Sequence, residues 1–565
     1  MRPLRRKVKW RLSVVAAESA HANESARSRM SDVFPPAPEG AGRSGPVIRK
    51  AVQGWRCLGA IAALTFVWLA ASAWARPLRL PDEGRYVGVA WEMVRSGDWL
   101  TPTLNGLPFF HKPPLFYWIT ALSISTFGPH EWAARVAPLL GAWLGAMSLF
   151  LFVRRWADER TALLTLVALL VQPLFFVGAQ FANMDMVVAG CITATIVSLA
   201  HAALCMEGRA PWRGALAAAY VFAALGLLAK GLIGVVIPAL VLCCWLLASG
   251  RWRLVLRLLW LPGVAAFLLV AGPWFLLMQE RFPEFFHYFV VVQHFKRFAQ
   301  SGFNNVQPFW FYPAVIALFT FPWLFWLYRQ VRDGRAVQAW KHPVTSLMWF
   351  WLATVVLFFS LPQSKPLGYV LPAVPAVAYL IADAYARFAA TSRERRLWWV
   401  SIACTAFLCL VAVAVFALRP LHSTRDIGRA LGAQRSPGEP VVMLDKYYYD
   451  VPYYAGLRFP VAVVADWNSP DIRLHDDWRK EIADAAYFSD DVGRRSLLTA
   501  AQVPQLLCQS MVGWVIASTD APTRFRFLAH ARAVVTEGST TLWRVATSTP
   551  DSAQSLGCAP APSAK

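Results

Sequence analysis

The chain has 565 residues, 57% of them apolar, and a formal net charge of +22 carried by only 16% charged residues. That balance excludes an ordinary soluble protein, because apolar runs of about 18–22 residues recur, the length a helix needs to cross a roughly 30 Å hydrocarbon core. It also excludes nucleic acid as the reason for the basicity. Residues 1–54 hold eleven Lys/Arg against four acids and the tail from 419 holds sixteen against fifteen. The remaining excess lies in short loops between apolar runs, where it orients a membrane protein.

In chain order, residues 1–54 are basic and rich in Pro, Gly, Ser and Ala, which predicts a disordered cytoplasmic tail. Residues 55–418 read as a transmembrane domain, with spans near 56–75, 135–153, 161–178, 187–206, 213–230, 231–249, 255–278, 308–328, 344–361, 367–386 and 398–418. Ala71-Ser72-Ala73 resembles a signal-peptidase site, but more than fifty leading residues are too many for an ordinary signal peptide, so the first span is read as retained. The thirteen-residue stretch Leu115 to Phe127 is short for a crossing and suits an interfacial or re-entrant helix.

Charge tests that choice. With 115–127 not crossing and a cytoplasmic N-terminus, loops 154–160, 207–212, 250–254, 329–343 and 387–397 lie inside. They hold Arg154-Arg155, Arg251 with Arg253, and Arg393 with Arg395-Arg396, as the positive-inside bias requires. The opposite choice inverts the bias. The long loops 76–134 and 279–307 then share the outer face with Asp82, Lys112, Asp185, Lys230, His287 and Lys365. The tail 419–565 reads as a small soluble α/β domain on that face, with strands near 440–444, 461–465, 513–517 and 541–545 and helices near 476–488 and 498–511. Seven of the nine cysteines fall in spans as packing residues. Cys508 and Cys558 lie in the tail, where a disulfide or two free thiols are both open.

Only fourteen carboxylates occur between 55 and 418, and ionisable groups at a membrane boundary are functional candidates. Asp82 and Glu83 open the first outer loop; either could serve as base or orienting acid, or Asp82 could simply cap a helix starting at Glu83. Lys112 precedes Pro113-Pro114, a stiff setting suited to a phosphate clamp. Ala229-Lys230-Gly231 forces a turn between two spans with an ammonium at its apex, and Ser364-Lys365-Pro366-Leu367-Gly368-Tyr369 repeats the arrangement with a hydroxyl one turn on. Cations and a tyrosine so arranged can bind phosphate through charge-assisted hydrogen bonds. No Cys/His zinc spacing, phosphate loop or nucleophile elbow is present, and neither a cofactor nor a metal is expected, though two acids could recruit a divalent ion.

The motifs Asp82-Glu83-Gly84-Arg85-Tyr86, Ser96-Gly97-Asp98-Trp99, Lys112-Pro113, Lys230-Gly231, His287-Tyr288-Phe289, Arg297-Phe298-Ala299 and Lys365 to Leu371 resemble, in order, those of the aminoarabinose transferases that modify lipid A. These belong with the protein O-mannosyltransferases to the GT-C class of integral-membrane glycosyltransferases. The resemblance implies eleven to thirteen spans with interfacial helices and a periplasmic C-terminal domain in a bacterial inner membrane. It implies transfer of a sugar from a polyprenyl phosphate to lipid A or another periplasmic acceptor. By position it assigns catalysis to Asp82, puts Lys112, Lys230 and Tyr369 around the carrier phosphate, and makes Asp185 a further acid that shapes the site. Glu83 is a further catalytic candidate, and Arg85, His111, Lys365, His287 and Arg297 are further substrate-binding candidates. The chain departs from the family at His111, where Glu is usual, at Gly84, where Thr is common, and before Lys365, where a glycine flanked by lysines is usual. Those departures extend the expected donor from aminoarabinose to another aminosugar or a hexose. Transfer to protein Ser/Thr is the neighbouring reading, and a lipid-linked sugar transporter or flippase is the rival from another class.

Overall fold

The computed structural model describes residues 44–558, apart from 297–304, 333–341, 390, 419–421, 459 and 475. The chain divides into two compact units, Met1–Ile61 and Ala62–Lys565. The described part of the first is helical, the beginning of Ser44–Ala70. The disordered tail expected over 1–54 falls almost entirely outside the described residues.

Seven described helices are long and apolar enough to cross a membrane: Val136–Trp156, Met184–Glu207, Arg213–Lys230, Leu261–Arg281, Pro343–Ser360, Leu367–Phe388 and Ser392–Leu418. Two bent pairs raise this to nine if each is one span, Glu159–Leu170 with Pro173–Ala179 (68°) and Phe311–Thr320 with Leu324–Arg332 (111°). Pro173 and Pro322 sit at these bends, where a residue without an amide proton interrupts the helical ladder. Arg56–Ala70 and Ile233–Ala248 are apolar but shorter. These eleven elements coincide in position with the eleven apolar runs read from sequence, and seven to nine of them have the length of a crossing. Leu115–Phe127 is a helix of thirteen residues, about 20 Å long. It packs Phe116 against Tyr86 (6.2 Å) on the neighbouring helix Asp82–Ser96. Close backbone contact fixes the bundle: a Cβ on Gly190 would fall on the carbonyl of Gly141, so helices Val136–Trp156 and Met184–Glu207 touch directly, as small residues permit in membranes.

The first long loop, 76–134, is anchored by a buried ion cluster. Glu83, completely buried, accepts hydrogen bonds from both guanidinium groups around it: Arg135 Nε at 3.0 Å and Nη2 at 3.2 Å, Arg76 Nη2 at 3.1 Å, and Arg76 Nη1. The amides of Arg79 (2.9 Å) and Ala182 (2.8 Å) also donate to it. Arg135 in turn donates to the carbonyls of Ala73, Arg76 and Pro77 at 2.7–2.9 Å. Burial alone would push the Glu83 carboxyl up; the charges of Arg135 and Arg76 override it and bring it down to about 2. Three segments distant in sequence are thereby tied to one carboxylate.

The tail carries a six-stranded sheet. With a short hairpin, β1 (Thr103–Leu104) and β2 (Leu107–Pro108), counted first, the sheet strands are β3 (Val441–Leu444), β4 (Ala462–Val464), β5 (Leu497–Leu498), β6 (Val512–Ser518), β7 (Arg532–Glu537) and β8 (Thr540–Ala546). Their order is β5-β4-β3-β6-β8-β7. The first four are parallel and β8 and β7 antiparallel, over a core that includes Val442, Val515 and Val545. Cys508 and Cys558, 50 residues apart, are joined in a disulfide. The tail belongs to the same compact unit as the helices. Asn105 exchanges hydrogen bonds with the backbone of Val461 (3.0 and 2.8 Å), the Leu80 amide donates to His422 O (2.7 Å), and Trp91 Nε1 donates to Leu457 O (3.1 Å).

Glu83→Ala leaves two buried guanidinium groups unpaired and should destabilise the protein by about 3–5 kcal/mol, read as a lowered melting temperature in detergent; an unchanged melt rejects the anchoring role. Because the folded carboxyl lies below its unfolded value, its stabilisation is complete above about pH 4.5 and is lost as pH falls toward 2. For the tail, intact mass should rise by about 2 Da on reduction, two hydrogens for one disulfide, and Cys558→Ser should cost about 2–4 kcal/mol of tail stability. Two alkylatable tail thiols before reduction would contradict the first of these.

Candidate active site

A cavity of about 1040 Å³ lies between one set of helix ends and the tail sheet. One wall is the start of helix Asp82–Ser96. Its N-cap position is Pro81 and no side chain caps it, so the capping role open to Asp82 is not used. Asp82 is instead 45% exposed toward the cavity and paired with Arg85. Arg85 is 13% exposed, lies over the rings of Tyr86 (5.1 Å) and Tyr449 (5.7 Å), and pairs also with Glu481.

The second wall is built on helix termini. Asn183 caps Met184–Glu207, its Oδ1 accepting the Asp185 amide at 3.0 Å, while its Nδ2 donates to Asp185 Oδ2 at 3.2 Å. Asp185 therefore sits in the first helical turn, and Lys230 in the last turn of Arg213–Lys230, each where the helix dipole favours its charge. The two form an ion pair, with Lys230 Nζ 4.2 Å from the Tyr369 ring centre. Gly231, at φ 95°, makes the turn that the Lys-Gly break predicts. Gly368 must lack a side chain because a Cβ would fall on the Asp185 carboxylate.

The third wall carries His111 and Lys112. His111 stacks on Phe109 (4.3 Å) and meets the Tyr288 hydroxyl through Nε2 at 2.9 Å. Lys112 lines the cavity just before Pro113-Pro114, after which helix Leu115–Phe127 begins. Asp82, Arg85, His111, Lys112, Asp185, Lys230 and Tyr369, all candidates from the sequence, line one cavity. Among the described residues no group of three or more His, Cys, Asp or Glu is arranged to hold a metal ion.

Three expected site residues are elsewhere. Glu83 is locked in the buried arginine cluster and does not line the cavity. Lys365 is 4% exposed, with Nζ donating to the carbonyls of Gln307 (2.8 Å), Pro362 (2.5 Å) and Gln363 (3.5 Å); it ties its own loop to the segment at Gln307. His287 is exposed and outside the lining, and its neighbour Tyr288 reaches His111 in its stead. Arg297 lies outside the described residues. Ser96-Gly97-Asp98-Trp99 proves to be turn chemistry: Gly97 ends the helix at φ 76°, and Asp98 Oδ1 accepts the amides of Leu100 and Thr101.

The tail's contribution escaped the sequence reading. Lys446, Tyr447, Tyr449 and Glu481 line the cavity, and Tyr449 donates to Glu481 Oε2 at 2.7 Å. A signal was present: Lys446-Tyr447-Tyr448-Tyr449 follows directly on strand β3, and the carboxyl ends of parallel strands are where such sheets place ligands.

Carboxylates beside four cations (Arg85, Lys112, Lys230, Lys446) around one cavity suit an anionic ligand. Residues 81–289 match the dolichyl-phosphate-mannose-protein mannosyltransferase family. The undecaprenyl phosphate-alpha-4-amino-4-deoxy-L-arabinose arabinosyl transferase of Aeromonas salmonicida is 32% identical over 62% of this chain and 64% of its own length. A second such transferase, from Sodalis glossinidius, is 32% identical over 63% and 65%. The chain therefore spans a little under two thirds of the relatives it matches. The crystal structure of ArnT from Cupriavidus metallidurans bound to undecaprenyl phosphate superimposes over 90% of this chain and 99% of its own, with a TM-score of 0.71 at 24% identity. The chain is thus similar in sequence to the aminoarabinose transferases, as its motifs indicate, and shares the fold of ArnT.

Proposed function

We propose that the chain is an integral-membrane glycosyltransferase that moves a sugar, aminoarabinose or another aminosugar or hexose, from a polyprenyl phosphate to lipid A. The observation that carries this reading is the convergence of an exposed Asp82 with Arg85, Lys112 and Lys230 on one cavity at the helix ends. Breaking the bond between the anomeric carbon and the phosphate oxygen leaves the carrier as a phosphate monoester, and preorganised cations stabilise the charge that develops there. An acceptor phosphate is already an anionic nucleophile, so Asp82 would orient it or offset positive charge on the sugar. The relatives named above are transferases acting from undecaprenyl phosphate, which supports both the reaction class and the carrier. The distribution of loop charges supports a bacterial inner-membrane protein with cavity and tail facing the periplasm. The match to the protein mannosyltransferase family over 81–289 supports a second reading, transfer to a Ser/Thr hydroxyl. In that case Asp82 must also remove a proton.

Mass spectrometry of lipid A from cells with wild-type protein, Asp82→Ala or no protein tests the proposal. A pentose-amine or hexose-type increment is expected only with wild type, and Asp82→Ala should lower it by at least about 100-fold. Lys230→Met should cost a comparable factor by removing one phosphate-facing cation. Unmodified lipid A in all three strains, with sugar on periplasmic proteins, would move the acceptor to Ser/Thr. No sugar transfer to either would refute the enzyme.

A further inference from the structure

We propose that Glu481, supplied by the C-terminal domain, is a positioning residue for the transfer reaction: it holds Arg85 in the orientation in which Arg85 pairs with Asp82. This inference rests on the glycosyltransferase reading and adds to it a part for the tail.

The geometry forms a relay that runs from buried to exposed. Tyr449 donates to Glu481 Oε2 at 2.7 Å, leaving Glu481 Oε1 for Arg85 Nη1. Arg85 offers its other terminal nitrogen, Nη2, to Asp82 Oδ1. Glu481 and Arg85 are 12% and 13% exposed, whereas Asp82 is 45% exposed. A guanidinium is a rigid planar fork, so with one terminal nitrogen on each carboxylate it cannot turn without breaking a pair. The rings of Tyr86 and Tyr449 restrict it further.

A simple tether for the tail does not account for this arrangement. The tail is already joined to the first loop through Asn105 and Val461, Leu80 and His422, Trp91 and Leu457, and Leu78 with the Tyr454 hydroxyl. A half-buried ion pair is a poor addition to such neutral hydrogen bonds, since desolvation offsets much of its attraction. Its distinguishing property is direction: it aims one guanidinium edge at the carboxylate facing the cavity.

The test uses purified full-length protein, undecaprenyl phosphate-linked aminoarabinose as donor and lipid A as acceptor. Steady-state rates are measured for wild type, Glu481→Gln, Arg85→Ala, the double variant and Tyr449→Phe, with a melting temperature for each. Glu481→Gln should lower kcat about 10–100-fold, the scale of a small misplacement of reacting groups, with the donor KM within about twofold of wild type. In the Arg85→Ala background it should have no further effect, because its influence passes through Arg85. Tyr449→Phe, which removes one hydrogen bond and leaves the carboxylate, should show a smaller loss of the same kind. An unchanged kcat in folded Glu481→Gln overturns the proposal, as does a loss that multiplies with that of Arg85→Ala. A raised KM with kcat intact, or loss of fold in both Glu481→Gln and Tyr449→Phe, also overturns it, the latter in favour of a tether. No transfer by wild type, either from this donor or from undecaprenyl phosphate-linked hexosamine or hexose, and to neither lipid A nor a Ser/Thr peptide, refutes the enzyme reading and this inference together. Transfer by wild type with Glu481→Gln unaffected refutes this inference alone.

Discussion

The site depends on one fully buried carboxylate. Glu83 gathers two guanidinium groups and two backbone amides, joining the end of the first helix, the start of Val136–Trp156 and the loop before Met184–Glu207. An isolated charge could not stay ionised there; with two arginines around it, it stays charged and enforces the approach of all three segments. Asp82 precedes it on the same helical turn, and Asp185 lies three residues beyond the Ala182 amide that it binds. The two cavity acids are thereby placed relative to one another by a third acid that does not line the cavity.

Membrane physics decides where the remaining charges can stand. Helix backbones satisfy themselves, but their ends do not, and the site residues of the bundle occupy those ends. Asp185 takes an N-terminus and Lys230 a C-terminus, so the dipoles that a bilayer makes costly to leave uncompensated are used to hold an ion pair. The close contact of Gly141 and Gly190 holds one of these ends in place through packing alone. On the proposed reading, the boundary between lipid and water is also where a carrier with a greasy tail and a charged head must present its head.

Much of this was legible in the sequence because hydrophobic length and local breaks are local signals. The eleven apolar runs, the short helix at 115–127 and the turn at Lys230-Gly231 each depend on residues near in sequence. The division of labour between Asp82 and Glu83 was not, since adjacent acids on a helix point about 100° apart. Which one faces inward depends on Arg135, 52 residues away. Lys365 resembled Lys230 in motif but donates to the carbonyls of Pro362 and of Gln307, the latter 58 residues away. His287 and Tyr288 differ by one helical step, enough to exchange outside for inside. The tail's share was hidden for the same reason: Arg85 and Glu481 are 396 residues apart, and no periodicity reports such a meeting.

Gly84 joins these levels. A Cβ at that position would lie 2.7 Å from Leu80 Cδ2, 3.0 Å from the Asp450 amide nitrogen and 3.1 Å from Tyr449 Cβ, so the tail's backbone comes close to the backbone of helix Asp82–Ser96 here. A close backbone approach at this point leaves little slack for the two to slide past one another. The tail is on this account a wall of the chamber, its distance from helix Asp82–Ser96 set by a residue that has no side chain.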